Sequence, residues 1–93
     1  MINRKEAIAK VEQIVCQDRE QQYGSPENNF STIAKLWNAY LKKDIVKPSD
    51  VAMMMALLKV ARIATGNYKE DSYIDLAGYA ICGAELASME EEE

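Results

Sequence analysis

Apolar positions recur along this chain at intervals of three and four and never alternate in twos, so the sequence predicts helices and no strands. Between Arg4 and Gln22, the side chains of Ala7, Ile8, Val11, Ile14 and Val15 fall on one stripe, with Asn3 and Glu6 spaced as a capping box and Gly24 as the stop. A second stripe, Phe30, Ile33, Ala34, Trp37, Tyr40 and Leu41, follows Ser25 as N-cap and Pro26 at the first helical position. Its polar face is Asn28, Thr32, Lys35, Asn38 and Lys42, and it stops near Lys43. Ile45 and Val46 are expected to plug the core from the connection.

Pro48, Ser49 and Asp50 start a third helix that ends near Ala64 and carries eight consecutive apolar residues, Val51 to Leu58. A helix apolar on every side is expected to be central and packed all round. After the break at Thr65-Gly66-Asn67, Asp71 or Ser72 caps a fourth helix reaching about Met89. Glycine inside a helix costs ~1 kcal/mol relative to alanine, so Gly78 and Gly83 imply close approach by a neighbouring helix or a ligand.

Four helices with short connections predict an all-α fold, a compact antiparallel four-helix bundle. It forms a single helical domain over residues 1–89, followed by an acidic frayed tail over 90–93. A chain of 93 residues has few partners with which to cover an all-apolar helix, which implies a homo-oligomer.

The net charge is −4, and the tail Glu90–Glu93 accounts for it, leaving a neutral body. Neither offers the basic face that non-specific nucleic-acid binding requires. No apolar run reaches the ~18 residues of a membrane span, and the charged amino terminus is not that of a signal peptide. The absence of histidine removes His-based acid–base catalysis, Ser-His and Cys-His nucleophiles, and His-ligated zinc. Cys16 and Cys82 lack a C-x-x-C spacing and read as buried small residues in a reducing cytoplasm. The five methionines read as core filler.

Three constellations carry possible chemistry. Arg19, Tyr23, Asn28 and Asn29 surround the turn at Gly24-Ser25-Pro26, where a helix N-terminus and a forked guanidinium favour an anion; Arg19 and Tyr23 equally suit a simple stack that locks the turn. Lys59 and Arg62, three apart on one face, either pair with Asp71 and Asp75 or form a phosphate clamp. The third is Asp50, Asp71 and Asp75: Asp71 and Asp75, four apart, suit a shared Mg²⁺, while plain capping equally explains Asp50 and Asp71. Tyr79, one turn beyond, stacks on a base or belongs to the core.

The strings REQQYGSPENNF (19–30), LWNAYL (36–41), DVAMMMALLKVAR (50–62) and DSYIDLAGYA (71–80) together resemble a family of small phage and prophage proteins without a settled activity. The architecture is also similar to the all-α nucleotide pyrophosphohydrolases of the MazG type, which hold Mg²⁺ with E-x-x-E and E-x-x-D pairs. Both pairs are missing here; Lys59, Arg62, Asp71 and Asp75 remain. The resemblances and the residues together predict a cytoplasmic phage-type protein that binds a phosphate-bearing nucleotide without turning it over; the phage resemblance implies that it sequesters a nucleotide signal. In that reading Arg19, Lys59 and Arg62 hold phosphates, Tyr23 or Tyr79 stacks on the base, and Asn28 or Asn29 reads polar edges. The alternatives are a Mg²⁺-dependent pyrophosphohydrolase using Asp71 and Asp75, and a structural or protein-interaction module.

Overall fold

Two backbone positions with positive φ, Gly24 at 79° and Lys42 at 58°, end the first two helical stretches. A computed structural model describes residues 1–92, and every regular element in it is helical. They are α1 (Arg4–Gln13), a π-helical turn (Ile14–Asp18), α2 (Arg19–Tyr23), α3 (Pro26–Leu41), α4 (Pro48–Thr65) and α5 (Glu70–Glu91). The first three follow without a break, so four rods result. No helix among the described residues is long and apolar enough to cross a membrane.

Local chemistry explains most of the boundaries. Asn3 Oδ1 accepts the Glu6 N–H at 2.8 Å and Ser25 Oγ that of Asn28 at 3.3 Å, satisfying donors a helix start otherwise leaves open. Asp50 closes the start of α4 by accepting the Lys47 N–H at 2.9 Å. Helix α5 begins at Glu70, ahead of the expected caps, with Asp71 and Ser72 already inside it. Its other end runs to Glu91, and Glu90 accepts the Ser49 N–H at 3.0 Å and the Ser49 hydroxyl. The tail expected to fray from position 90 is therefore partly a cap for α4; Glu93 lies outside the described residues. Asn38, read as part of a polar face, anchors the α3–α4 connection: its amide donates to the Val46 carbonyl at 2.9 Å and accepts the Val46 and Ile45 N–H groups at 2.8 and 3.1 Å. Val46 packs on the core, but Ile45 is exposed and plugs nothing.

The core gathers Val11, Val15, Phe30, Ala34, Val51, Ala52, Ala56, Ile74, Tyr79, Cys82 and Leu86. Helix α5 is its hub, touching α1, α3 and α4. Both of its interior glycines mark close helix approach, as their sequence position suggested. A β-carbon at Gly78 would lie 3.0 Å from Val15 Cγ2, and one at Gly83 would lie 3.4 Å from the Ala52 β-carbon.

The uniformly antiparallel bundle is not what forms. Ser49 meets Glu90 while Lys59 meets Asp75, so α4 and α5 run in opposite directions. Lys10 meets Glu70, Val15 meets Gly78 and Arg19 meets Tyr79, so α1 and α5 run the same way. Helices α1 and α4 do not touch. Consequently α4 is not enclosed: Val51, Ala52 and Ala56 are buried, but Met53, Met54, Leu57, Leu58 and Val60 face outward. Met53 and Met54 are thus not core filler. Tyr40 and Leu41, expected in the α3 stripe, and Ile8, expected in that of α1, are exposed as well.

Candidate functional site

Arg19 is placed by the π-helical turn. Its N–H bonds back to the Ile14 carbonyl, five residues earlier, so the wide turn absorbs an extra residue and keeps Arg19 on the Val11–Val15 side, against α5. There the guanidinium lies 5.6 Å from the Tyr23 ring centre and 5.3 Å from that of Tyr79, and donates to the Tyr79 hydroxyl at 3.4 Å. Cation–π attraction holds it in that position. No carboxylate lies within ion-pair distance of Arg19 among the described residues.

Two narrow clefts flank this arginine. One is lined by Arg19, Glu20, Tyr23, Gly24, Asn29 and Phe30, the other by Arg19, Asp75, Gly78 and Tyr79. Each offers about 10 Å³ of free space, enough for a single water. Asp75 also meets Lys59, Nζ to Oδ2 at 3.1 Å, with the two side chains 17% and 29% exposed. Arg19, Tyr23, Asn29, Tyr79, Asp75 and, through Asp75, Lys59 therefore belong to one neighbourhood. Its formal charges balance, with Arg19 and Lys59 set against Glu20 and Asp75.

The other predicted residues lie apart. Arg62 is exposed in the last turn of α4 and makes no ion pair among the described residues. Asn28 is exposed, its N–H on Ser25 and its carbonyl accepting the Thr32 hydroxyl. Asp71 is exposed one residue from Glu70, which pairs with Lys10. Tyr79 is buried against Phe30, ring centres 6.3 Å apart, so its face is not open for stacking on a base; Tyr23, 58% exposed, is. Lys59 is engaged by a carboxylate, so it forms no clamp with Arg62. Asp75 is held by Lys59 and Asp71 is exposed, and among the described residues no group of three or more His, Cys, Asp or Glu side chains could hold a metal ion. The π-helical turn was not read from the sequence, which carries no glycine or proline there to signal it.

The two thiols differ in character. Cys82 is buried between Arg19 and the core, and desolvation raises its pKa. Cys16, expected to be buried, is exposed at the edge of an apolar hollow of about 350 Å³ between α1 and α5. Ellman's reagent is therefore expected to titrate one thiol per chain rapidly in the native protein and the second only in denaturant. Two fast thiols would place Cys82 at the surface.

Against known proteins, the profile of a family described as a domain of unknown function, DUF6378, matches residues 6–87. The Gene 55 protein of Mycobacterium phage L5 is 42% identical over 73 residues, which cover 78% of this chain and 47% of that protein. The Gene 55 protein of Mycobacterium phage D29 is 40% identical over 75 residues, 81% of this chain and 49% of that protein. The chain thus spans about half the length of the curated relatives it matches. No solved structure matches it.

Proposed function

This chain belongs to the DUF6378 family, whose matched relatives here are phage proteins, and on that premise we propose that it binds a small phosphate-bearing ligand, a nucleotide, and leaves it chemically unchanged. The observation that carries the reading is Arg19: a half-buried guanidinium, fixed between two tyrosine rings, with no carboxylate paired to it. Of its five N–H donors, one meets Tyr79. The rest can serve a phosphate.

The small clefts admit no base or sugar, so the ligand lies across their mouth. Its phosphate reaches Arg19 beside the Gly24–Pro26 turn, and its base rests on the exposed face of Tyr23. Asn29, which lines the same cleft, contributes a polar edge. Glu20 is exposed and free to turn into water as the anion arrives. The reading keeps Arg19, Tyr23 and Asn29 and assigns no ligand contact to Arg62, Asn28 or Tyr79.

Calorimetric titration with a panel of mononucleotides and cyclic dinucleotides, with inorganic phosphate as the minimal probe, tests this. Binding without product release is expected. Arg19→Ala should weaken it roughly tenfold or more, the loss of one charge-assisted contact. Silence across the panel, or equal binding by Arg19→Ala, would exclude the site.

A further inference from the structure

A compact monomer of 10.5 kDa is expected to expose about 5,400 Å², yet this chain exposes 6928 Å². Its Cα radius of gyration, 14.1 Å, likewise exceeds the roughly 12.3 Å of a compact chain this long. The excess, roughly 1,500 Å², falls within the 1,000–2,500 Å² or so that each member of an obligate homodimer buries.

Helix α4 carries a run of exposed large apolar side chains on its outward side, Met53, Met54, Leu57, Leu58 and Val60. Met54, Leu57, Ala61 and Ala64 are all exposed there. Their spacing of three, four and three is the seam of a coiled coil. The seam continues onto α3, where Trp37, Tyr40 and Leu41 form an open apolar hollow with Met54.

We propose that a second copy of this chain covers that face, with α4 packed antiparallel against its symmetry mate. A two-fold contact requires a patch that complements itself. This one does: its large residues, Met54 and Leu57, precede its small ones, Ala61 and Ala64. Reversing the mate sets Leu57 opposite Ala61 and Met54 opposite Ala64, large against small, the arrangement in which side chains interdigitate without voids. A parallel mate would set large against large at one end and leave a gap at the other. The antiparallel pairing also places opposite helix-dipole ends together.

Analytical ultracentrifugation of the full chain tests the pairing. A mass of two chains is expected at micromolar concentration, and Leu57→Asp should return a single-chain mass with the helical circular dichroism kept. Ile81→Asp, in the other apolar hollow, should leave the pair intact. Should Leu57→Asp fail to fold, the contact is read by oxidation in a Cys16→Ser background: Leu57→Cys mixed with Ala61→Cys should give far more linked dimer than either alone. A single-chain mass for the parent protein up to millimolar concentration, an odd-numbered assembly, dissociation by Ile81→Asp but not Leu57→Asp, or preferential like-with-like linkage would overturn the proposal.

Discussion

Replacing Phe30 with alanine is expected to remove about 3–5 kcal/mol of folding free energy. Phe30 is 2% exposed and is the single phenylalanine in the sequence. The rest of the core consists mostly of valine, alanine, isoleucine and leucine, together with Tyr79, against which the Phe30 ring is tilted at 42°. Tyr79 is held by Arg19, so the space a truncated Phe30 leaves is only partly refilled. The position matters as well as the volume. Helix α3 meets α5 through few residues, and Phe30 sits at that junction, lining the cleft of Arg19 together with Val15 and Cys82. A domain this size carries on the order of 5–14 kcal/mol in total, and the modest core places this one toward the lower end. Urea unfolding at fixed protein concentration reads the loss, with Phe30→Leu as the milder partner at about 1 kcal/mol. A loss under about 1 kcal/mol for Phe30→Ala would mean that the junction of α3 with α5 is not packed as described.

How much of this was legible in the sequence follows from how local each signal is. Caps and turns are local, so Asn3, Ser25, Pro26, Gly24 and Asp50 gave helix boundaries within a residue or two of those that form. The glycines of α5 were also readable, because a costly residue inside a helix needs a neighbour to explain it. Enclosure is not local. Eight apolar residues in a row show that α4 avoids water, but not which chain covers it, and here three of the eight are buried by the chain itself. Helix direction is equally invisible: short loops suggested alternation, while α1 and α5 run parallel because the chain turns at Gly24 without folding back along α1.

The candidate site divides the same way. The stack of Arg19 on Tyr23, four residues apart, is a local feature that the sequence offered. Its second tyrosine, Tyr79, comes from sixty residues away and is brought in by a π-helical turn that no residue type announces. Lys59 with Asp75 was a fair expectation because both adjoin apolar stretches, where a lone charge is costly. Arg62, one turn beyond Lys59, is exposed and makes no ion pair among the described residues, so the same reasoning did not apply to it.

Removing Asp75 should lower stability and raise anion affinity together. Its carboxylate touches Lys59 at 3.1 Å and lines the cleft that Arg19 occupies. Asp75→Ala leaves the ammonium of Lys59, whose side chain is 17% exposed, without its partner. Breaking a dry pair in this way costs 3–5 kcal/mol or so. Because water reaches nearly a third of Asp75, about 2 kcal/mol is expected here. Asp75→Ala with Lys59→Met should recover at least half of that, since the cost lies in the orphaned charge rather than in lost attraction. A double-mutant cycle by urea unfolding separates the two contributions. The affinity moves the other way: without Asp75, Arg19 and Lys59 face Glu20 alone, and the neighbourhood gains a net positive charge. Phosphate or nucleotide should then bind several-fold more tightly to Asp75→Ala than to the parent, and the gain should vanish when Lys59→Met is added. Were Asp75→Ala to lose stability and affinity alike, the carboxylate would be a positioning residue for Arg19, and the balance of charge would not be what limits binding.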